Sequence, residues 1–252
     1  MTARTPVKIS KLRARIVGVI ASRADLHLAV KMANPPDFFE LRLDRLIGCL
    51  DQLEKKRLPA PLIITARHPA EGGANRLSIQ RRRDLLMRFL PRARYVDLEL
   101  RSAKSLRVVL DLARKKRIGS IISFHDFKNT PSVRTLKNKA RAAKSYGADI
   151  FKVAIRTDTS AQVERLLDFF ANEKLVPSGA KRKSFPEWSR KGRMDIDLAI
   201  SAMGMGKLGA VSRVVLAQLG SVLNYGSLRT PNAGGQLSIR QLRSALCALK
   251  II

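Results

Sequence analysis

Lys152 stands where an ammonium group is out of place. It lies inside the apolar, β-leaning run Asp149-Ile150-Phe151-Lys152-Val153-Ala154-Ile155. A lysine there either reaches water from an edge strand or works in a desolvated pocket. Desolvation disfavours the charged form and frees an amine that can attack a carbonyl, so the second alternative implies Schiff-base chemistry. Other reactive side chains punctuate similar runs. Phe39-Glu40-Leu41-Arg42-Leu43-Asp44 alternates, which places Glu40, Arg42 and Asp44 on one face of a strand. Inward-facing charges are expensive unless they pair or bind something. Thr65-Ala66-Arg67 runs into the flexible turn Glu71-Gly72-Gly73, and Ser123-Phe124-His125-Asp126-Phe127 closes a further run on a histidine. Taken alone, His125 reads as a satisfied core residue.

The elements that position these groups follow from periodicity. Short apolar, β-branched runs occur at 16–21, 38–43, 62–66, 95–100, 120–124, 150–155, 198–203 and 221–225. Between them lie helical faces: Leu85, Leu86, Phe89 and Leu90; Val108, Val109 and Leu112; Val163, Leu166, Leu167 and Phe170; and Ile239, Leu242, Leu246 and Leu249. Alternating strand and helix signals predict parallel β-structure with helical crossovers. Eight such units within 252 residues predict a single-domain (β/α)8 TIM barrel over 16–252, with a doubly wound open sheet as the alternative. In a barrel the charged residues above, with Arg213 after the seventh run and Asn232 to Gln236 after the eighth, gather at the carboxyl ends of the strands. Barrel active sites lie at that end. Two basic stretches break the pattern. One is an N-terminal arm, 1–15, with five cations and no acid; the other is a loop at about 174–196 that contains Lys181-Arg182-Lys183. The arm has the composition of an organelle transit peptide. A first strand starting at Ile16 leaves little room for a removable segment, however, so a short basic arm is expected. The loop is expected at the barrel floor, away from chemistry.

Composition narrows the function classes. Lys and Arg number 49 against 20 Asp and Glu, a net charge of +29, which invites a nucleic-acid reading. The cations are spread along the whole chain and aromatic residues make up only 5%. Neither stacking platforms nor a helix-turn-helix pattern accompanies them. Most of the charge is therefore expected at solvated surface, with nonspecific polyanion affinity as a side effect. No apolar run is long enough to cross a membrane. Cys49 and Cys247 match no metal or disulfide framework, which points to a reducing cytoplasm, and His27, His68 and His125 show no ligand spacing. Gly204-Met205-Gly206-Lys207-Leu208-Gly209 fits a dinucleotide fingerprint, but that fold needs an acid about 20 residues on, and Asp197 is the last acid in the chain. These glycines are expected to make a tight strand-to-helix turn that presents backbone N–H groups and Arg213 to an anion.

Taken together, Glu40-Leu41-Arg42, Thr65-Ala66-Arg67 with Glu71-Gly72-Gly73, Ser123-Phe124-His125-Asp126-Phe127, Gly147-Ala148-Asp149-Ile150-Phe151-Lys152, Met203-Gly204 with Ser212-Arg213, and Gly235-Gln236 resemble type I 3-dehydroquinate dehydratase. The resemblance runs from about residue 16 to 246, in the family's order. It implies a (β/α)8 barrel, commonly a homodimer, that dehydrates 3-dehydroquinate to 3-dehydroshikimate in the shikimate pathway without metal or cofactor. By motif, Lys152 would form the Schiff base, His125 would be the general acid and base, and Glu71 would orient it. Arg213 would bind the substrate carboxylate, and Glu40, Arg42, Arg67 and Gln236 would contact hydroxyls or hold the charges around the lysine. The residue types agree: an iminium is an electron sink beside the carbon that loses a proton, and a histidine can take that proton at neutral pH. A class I aldolase would share the lysine, but the Glu71, His125 and Lys152 set fits dehydration better. The chain departs from the family in the loop Asn232-Ala233-Gly234-Gly235-Gln236, which lacks a proline and carries Asn232 where a serine is usual. Asn232 is carried as a candidate ligand on that position alone. A further departure is expected at the N-terminus, where the hairpin that can close the barrel floor is missing from the pattern.

Overall fold

A computed structural model describes residues 14–174 and 198–252. Each apolar run of the sequence is a strand: β1 (Arg15–Ile20), β2 (Phe38–Arg42), β3 (Leu62–Thr65), β4 (Ala93–Glu99), β5 (Gly119–Asp126), β6 (Ile150–Arg156), β7 (Ala199–Met205) and β8 (Leu223–Ser227). The helices between and after them are α1 (Arg23–Val30), α2 (Leu50–Lys55), α3 (Ile79–Phe89), α4 (Arg107–Lys115), α5 (Val133–Ser145), α6 (Ser160–Lys174), α7 (Gly209–Gln218) and α8 (Ile239–Ala248). Neighbouring strands pair in parallel, and β8 pairs with β1 through Val17 and Tyr225. Between β7 and β8 the Val222 N–H donates to Ile200 O at 3.0 Å, and Ser201 Oγ donates to Leu223 O at 2.7 Å. The sheet is thus closed, as in a (β/α)8 barrel, and the open-sheet alternative, which needs free edges, does not apply.

Alternation sets which side chains face the chemistry. Phe39, Leu41 and Leu43 are fully buried in the outer core between sheet and helices, and Glu40 and Arg42 are therefore turned inward. Burying each large apolar side chain is worth roughly 1.5–3 kcal/mol. A one-residue slip of β2 would exchange its two faces, so this burial fixes the register that aims Glu40 at the barrel axis. A second apolar cluster, including Val17, Ile63, Tyr95, Ile121 and Ile150, comes from the early parts of the strands and fills the barrel below the site. Serine N-caps at Ser22, Ser78, Ser132 and Ser238 start α1, α3, α5 and α8.

Two expected helical faces are altered. On α4 the buried residues are Val109, Leu110 and Ala113, while Val108 is 50% exposed. Ala113 is small but packs as an anchor, which turns the stripe by one residue. On α8 the stripe stops early. Leu249 lies past the end of the helix and is exposed, and Lys250, which follows it, has a φ of 54° that ends helical geometry. Apart from their edges, the basic arm and the basic loop lie outside the described residues, as does the position of any N-terminal hairpin. Among the described residues no helix is long and apolar enough to cross a membrane.

Candidate active site

The inner face of the barrel holds a layer that is polar where barrels usually carry branched aliphatics. At its centre is Lys152, the third residue of β6, only 3% exposed. Its Nζ donates to Asp97 Oδ2 at 2.9 Å and Glu40 Oε1 at 3.2 Å, and lies 3.8 Å from the centroid of the Tyr225 ring. These partners come from β4, β2 and β8, so the even-numbered strands supply an amine, two carboxylates and a phenol to one level. The lysine is buried, as the desolvated-pocket alternative requires. Its pocket is not apolar, however, because the carboxylates compensate the burial of the charge. Lys152 also lies well within its strand rather than at the end of it.

Arg67, at the end of β3, ties the layer together. It reaches Asp97 at 3.0 Å, Glu99 at 3.3 Å and Glu40 at 3.5 Å, and donates to Ser123 Oγ at 2.7 Å. Burial alone would weaken its charge, but the carboxylates of Asp97, Glu99 and Glu40 hold the guanidinium more firmly protonated than usual. Asp97 answers in kind: burial would raise its pKa, yet Arg67 and Lys152 hold it far below the carboxylate range. Arg42 is locked in a two-pronged pair with Asp44, at 3.0 and 2.8 Å, and donates to Gly72 O at 3.0 Å. Asp44 in turn accepts from the Arg67 and Ala74 backbone N–H groups at 3.2 and 2.9 Å, which fixes the loop that carries Glu71.

His125 is near the end of β5. Its Nδ1 lies 3.0 Å from Glu71 Oε2, and its backbone N–H donates to the same oxygen at 2.9 Å. Among the described residues Nε2 makes no hydrogen bond. Burial, then the charges of Arg67 and Lys152, push the imidazole pKa well below its usual value. Burial and the nearby Glu99 push Glu71 up to about 7. Gly72, at φ 82°, turns the loop beneath Phe127, whose ring stacks 6.5 Å from the imidazole; a Cβ there would lie 2.8 Å from Phe127 Cζ.

Arg213, on α7, is buried and lacks an acidic partner among the described residues. Its NH1 donates to Tyr225 O at 3.2 Å and lies 3.5 Å from Met203 Sδ, and its Nε has no partner. Burial with nothing to offset it lowers its pKa to about 10. A buried cation of this kind calls for an anionic ligand. Beyond Asp197 the chain contains no acid that could have paired with it locally. Gly206, at φ 95°, makes the strand-to-helix turn before α7, as expected of these glycines. The turn packs against the 232–236 loop, where Gly206 N–H donates to Gly234 O at 2.9 Å. In that loop Gln236 Oε1 accepts from Asn232 N–H at 2.6 Å, so this oxygen already holds the loop closed.

Lys152, His125, Glu71, Glu40, Arg42, Arg67, Arg213, Asn232 and Gln236 all line one cavity of about 210 Å³. Every candidate catalytic or binding residue of the sequence is therefore brought to the same place. The cavity can hold a small ring, present an amine and an imidazole to it, and neutralise one carboxylate. Among the described residues no group of three His, Cys, Asp or Glu side chains is arranged to hold a metal ion.

The family model for type I 3-dehydroquinase matches residues 17–178 and 188–252. The chain belongs to the type I 3-dehydroquinase family. Among its relatives, the 3-dehydroquinate dehydratase of Thermococcus gammatolerans is 31% identical over 237 residues, covering 93% of this chain and 98% of that protein. That of Thermodesulfovibrio yellowstonii is 28% identical over 232 residues, covering 90% and 92%. The crystal structure of 3-dehydroquinate dehydratase from Geobacillus kaustophilus shares the fold at a TM-score of 0.77 and 24% identity, covering 94% of this chain and 91% of that one.

Sequence reasoning missed three members of the polar layer around Lys152 and Arg67. Asp97 is closer to Nζ than Glu40 is, Glu99 links Arg67 to the fully buried Arg82, and Tyr225 underlies the amine. The signal for the first two was present: Tyr95-Val96-Asp97-Leu98-Glu99 sets two acids at alternate positions in an apolar strand, like the Glu40 run.

Proposed function

We propose that this protein dehydrates 3-dehydroquinate to 3-dehydroshikimate through a Schiff base on Lys152, as a step of the shikimate pathway. The observation that carries the proposal is the convergence of Lys152, the Glu71–His125 pair and the uncompensated Arg213 on one small cavity. Arg213 takes the substrate carboxylate and so sets the ring across the barrel mouth, which gives the reacting groups their proximity. Lys152 gives up a proton to water in the cavity, and the freed amine adds to the substrate ketone. The resulting carbinolamine hydroxyl takes a proton back and leaves as water, giving the iminium. His125 Nε2 then removes a proton from the carbon beside the iminium, and the C–H electron pair is stored as an enamine. The imidazolium returns that proton to the departing hydroxyl, which leaves as water while the enamine electrons form the new C=C bond. Water hydrolyses the conjugated iminium and restores the ammonium.

Glu71 selects the tautomer. As a carboxylate it accepts from Nδ1–H, which leaves the Nε2 lone pair facing the cavity. Asp97, Glu40 and Arg67 keep the amine and its iminium in a matched charge field that needs little rearrangement during reaction. Arg42 and Gln236 line the rim and supply donors to substrate hydroxyls. Asn232 is included with them, since it lines the same cavity. The reading extends to a homodimer, as the family resemblance implies, and to the cytoplasm, in keeping with two unpaired cysteines. Affinity for polyanions, from a net charge of +29, belongs to the same proposal and would weaken with salt.

The test is turnover. The purified protein mixed with 3-dehydroquinate should produce a conjugated enone, seen as rising ultraviolet absorbance, and Lys152→Ala should abolish it with the fold intact by circular dichroism. Absent enone formation by the wild type, or near-normal rates in Lys152→Ala, would reject the proposal.

A further inference from the structure

Tyr225 completes the layer around Lys152, yet its hydroxyl is idle. The side chain is 3% exposed and the oxygen makes no hydrogen bond. A buried phenol with no partner destabilises a fold relative to phenylalanine, which offers the same ring without a polar atom to desolvate. The face of the ring already has a use beneath Nζ, at 3.8 Å from the centroid. The hydroxyl therefore lies within one ring half-width and a C–O bond of the point beneath the amine. Burial, and then the charges of Glu40 and Asp97, hold the phenol well above its ordinary pKa, so it remains an O–H donor. Those two carboxylates already receive hydrogen bonds from Lys152, Thr65, Ser123 and Arg67, which leaves the phenol as an uncommitted donor at this level. The Tyr225 side chain lines the cavity that receives the substrate in the dehydratase reading, on which this step rests. Its oxygen is covered in the free protein, so contact requires the entering ligand to displace what covers it.

We propose that the Tyr225 hydroxyl is a substrate-contacting group, donating a hydrogen bond to an oxygen carried on, or next to, the carbon that Lys152 attacks. The phenol is then a specificity determinant. A pocket built to hydrogen-bond an oxygen discriminates against ring ketones that lack it, because the donor is left unpaired.

Tyr225→Phe separates this role from a structural one, since the ring and its contact with Nζ are kept. Without substrate, the variant should melt at the wild-type temperature or above. With 3-dehydroquinate, kcat/KM should fall about tenfold, the effect of one lost hydrogen bond to a bound ligand. Ligand-induced stabilisation at saturating substrate should shrink in parallel. A lower melting temperature for the free variant would show that the hydroxyl already has a partner in the fold and would overturn the assignment. Unchanged kcat/KM in the variant, beside a wild type that turns over, would overturn it too and leave the dehydratase reading standing. A wild type without turnover would remove both.

Discussion

Replacing Glu71 with glutamine tests the electrostatics of the site in two independent ways. The Glu71 carboxyl is pushed up to about 7 from an ordinary 4.5 by burial and by Glu99, against Arg67, the His125 backbone N–H and Arg101. A shift of that size corresponds to about 3 kcal/mol, at roughly 1.4 kcal/mol per unit. The sign follows from linkage. The unfolded chain loses this proton near its ordinary value, whereas the folded chain keeps it until about 7, so stability declines as pH rises between the two and the full penalty is present above 7. Glutamine is neutral throughout and still accepts from the His125 N–H. Urea melts should therefore show Glu71→Gln gaining up to about 3 kcal/mol on the wild type between pH 5 and pH 8. Activity should move the other way. Wild-type kcat/KM should rise through an apparent pKa near 7 as the coupled Glu71–His125 pair loses its proton and frees Nε2. In the variant that limb should disappear, and the plateau should drop by about a hundredfold, within the range for misplaced general acid–base catalysis. A stability difference that is the same at both pH values, or a limb still near 7 in Glu71→Gln, would refute the reasoning.

Two further substitutions probe the carboxylate anchor and the proton carrier. Arg213→Leu removes a buried cation whose pKa is lowered to about 10, a penalty of about 3 kcal/mol that is present throughout the pH range below 10 and fades only as pH rises towards the unfolded value. The unliganded variant should melt higher at pH 7 while KM rises at least a hundredfold; a lower melting temperature with unchanged KM would contradict the carboxylate role. His125→Ala should still form an imine, trapped as a mass increase on the protein after reduction, but should stall there. Multiple turnovers near the wild-type rate would exclude His125 as the proton carrier.

Much of this fold was legible because its signals are local. Apolar runs bounded by helical stripes marked every strand, and strict alternation in the Glu40 run announced an inward-facing acid. Lys152, His125 and Arg213 stood out as reactive side chains in or after apolar runs, but Lys152 and His125 taken alone kept a bland alternative open, and the roles of all three came from the family resemblance. Partnership was less legible. Which carboxylate holds Nζ depends on the level at which different strands meet inside a closed barrel, and that is set by tilt and register rather than by spacing along the chain. Asp97 was thus passed over although it alternates with Glu99 as clearly as Glu40 does with Arg42. Tyr225 was hidden in another way, since a tyrosine in an apolar strand is ordinary core, and only three-dimensional contact shows that its oxygen lacks a partner. The rotated stripe on α4 shows the limit of counting large residues, because Ala113 is small yet fully buried.

The central claim is that the Lys152 amine becomes covalently joined to a cyclic ketone. Borohydride reduction of the protein during turnover of 3-dehydroquinate, followed by peptide mass mapping, measures this directly. The account predicts a stable adduct on the peptide that carries Lys152, absent without substrate and absent in Lys152→Ala. An adduct confined to another lysine, or a protein that turns over substrate and yields no adduct, would contradict it.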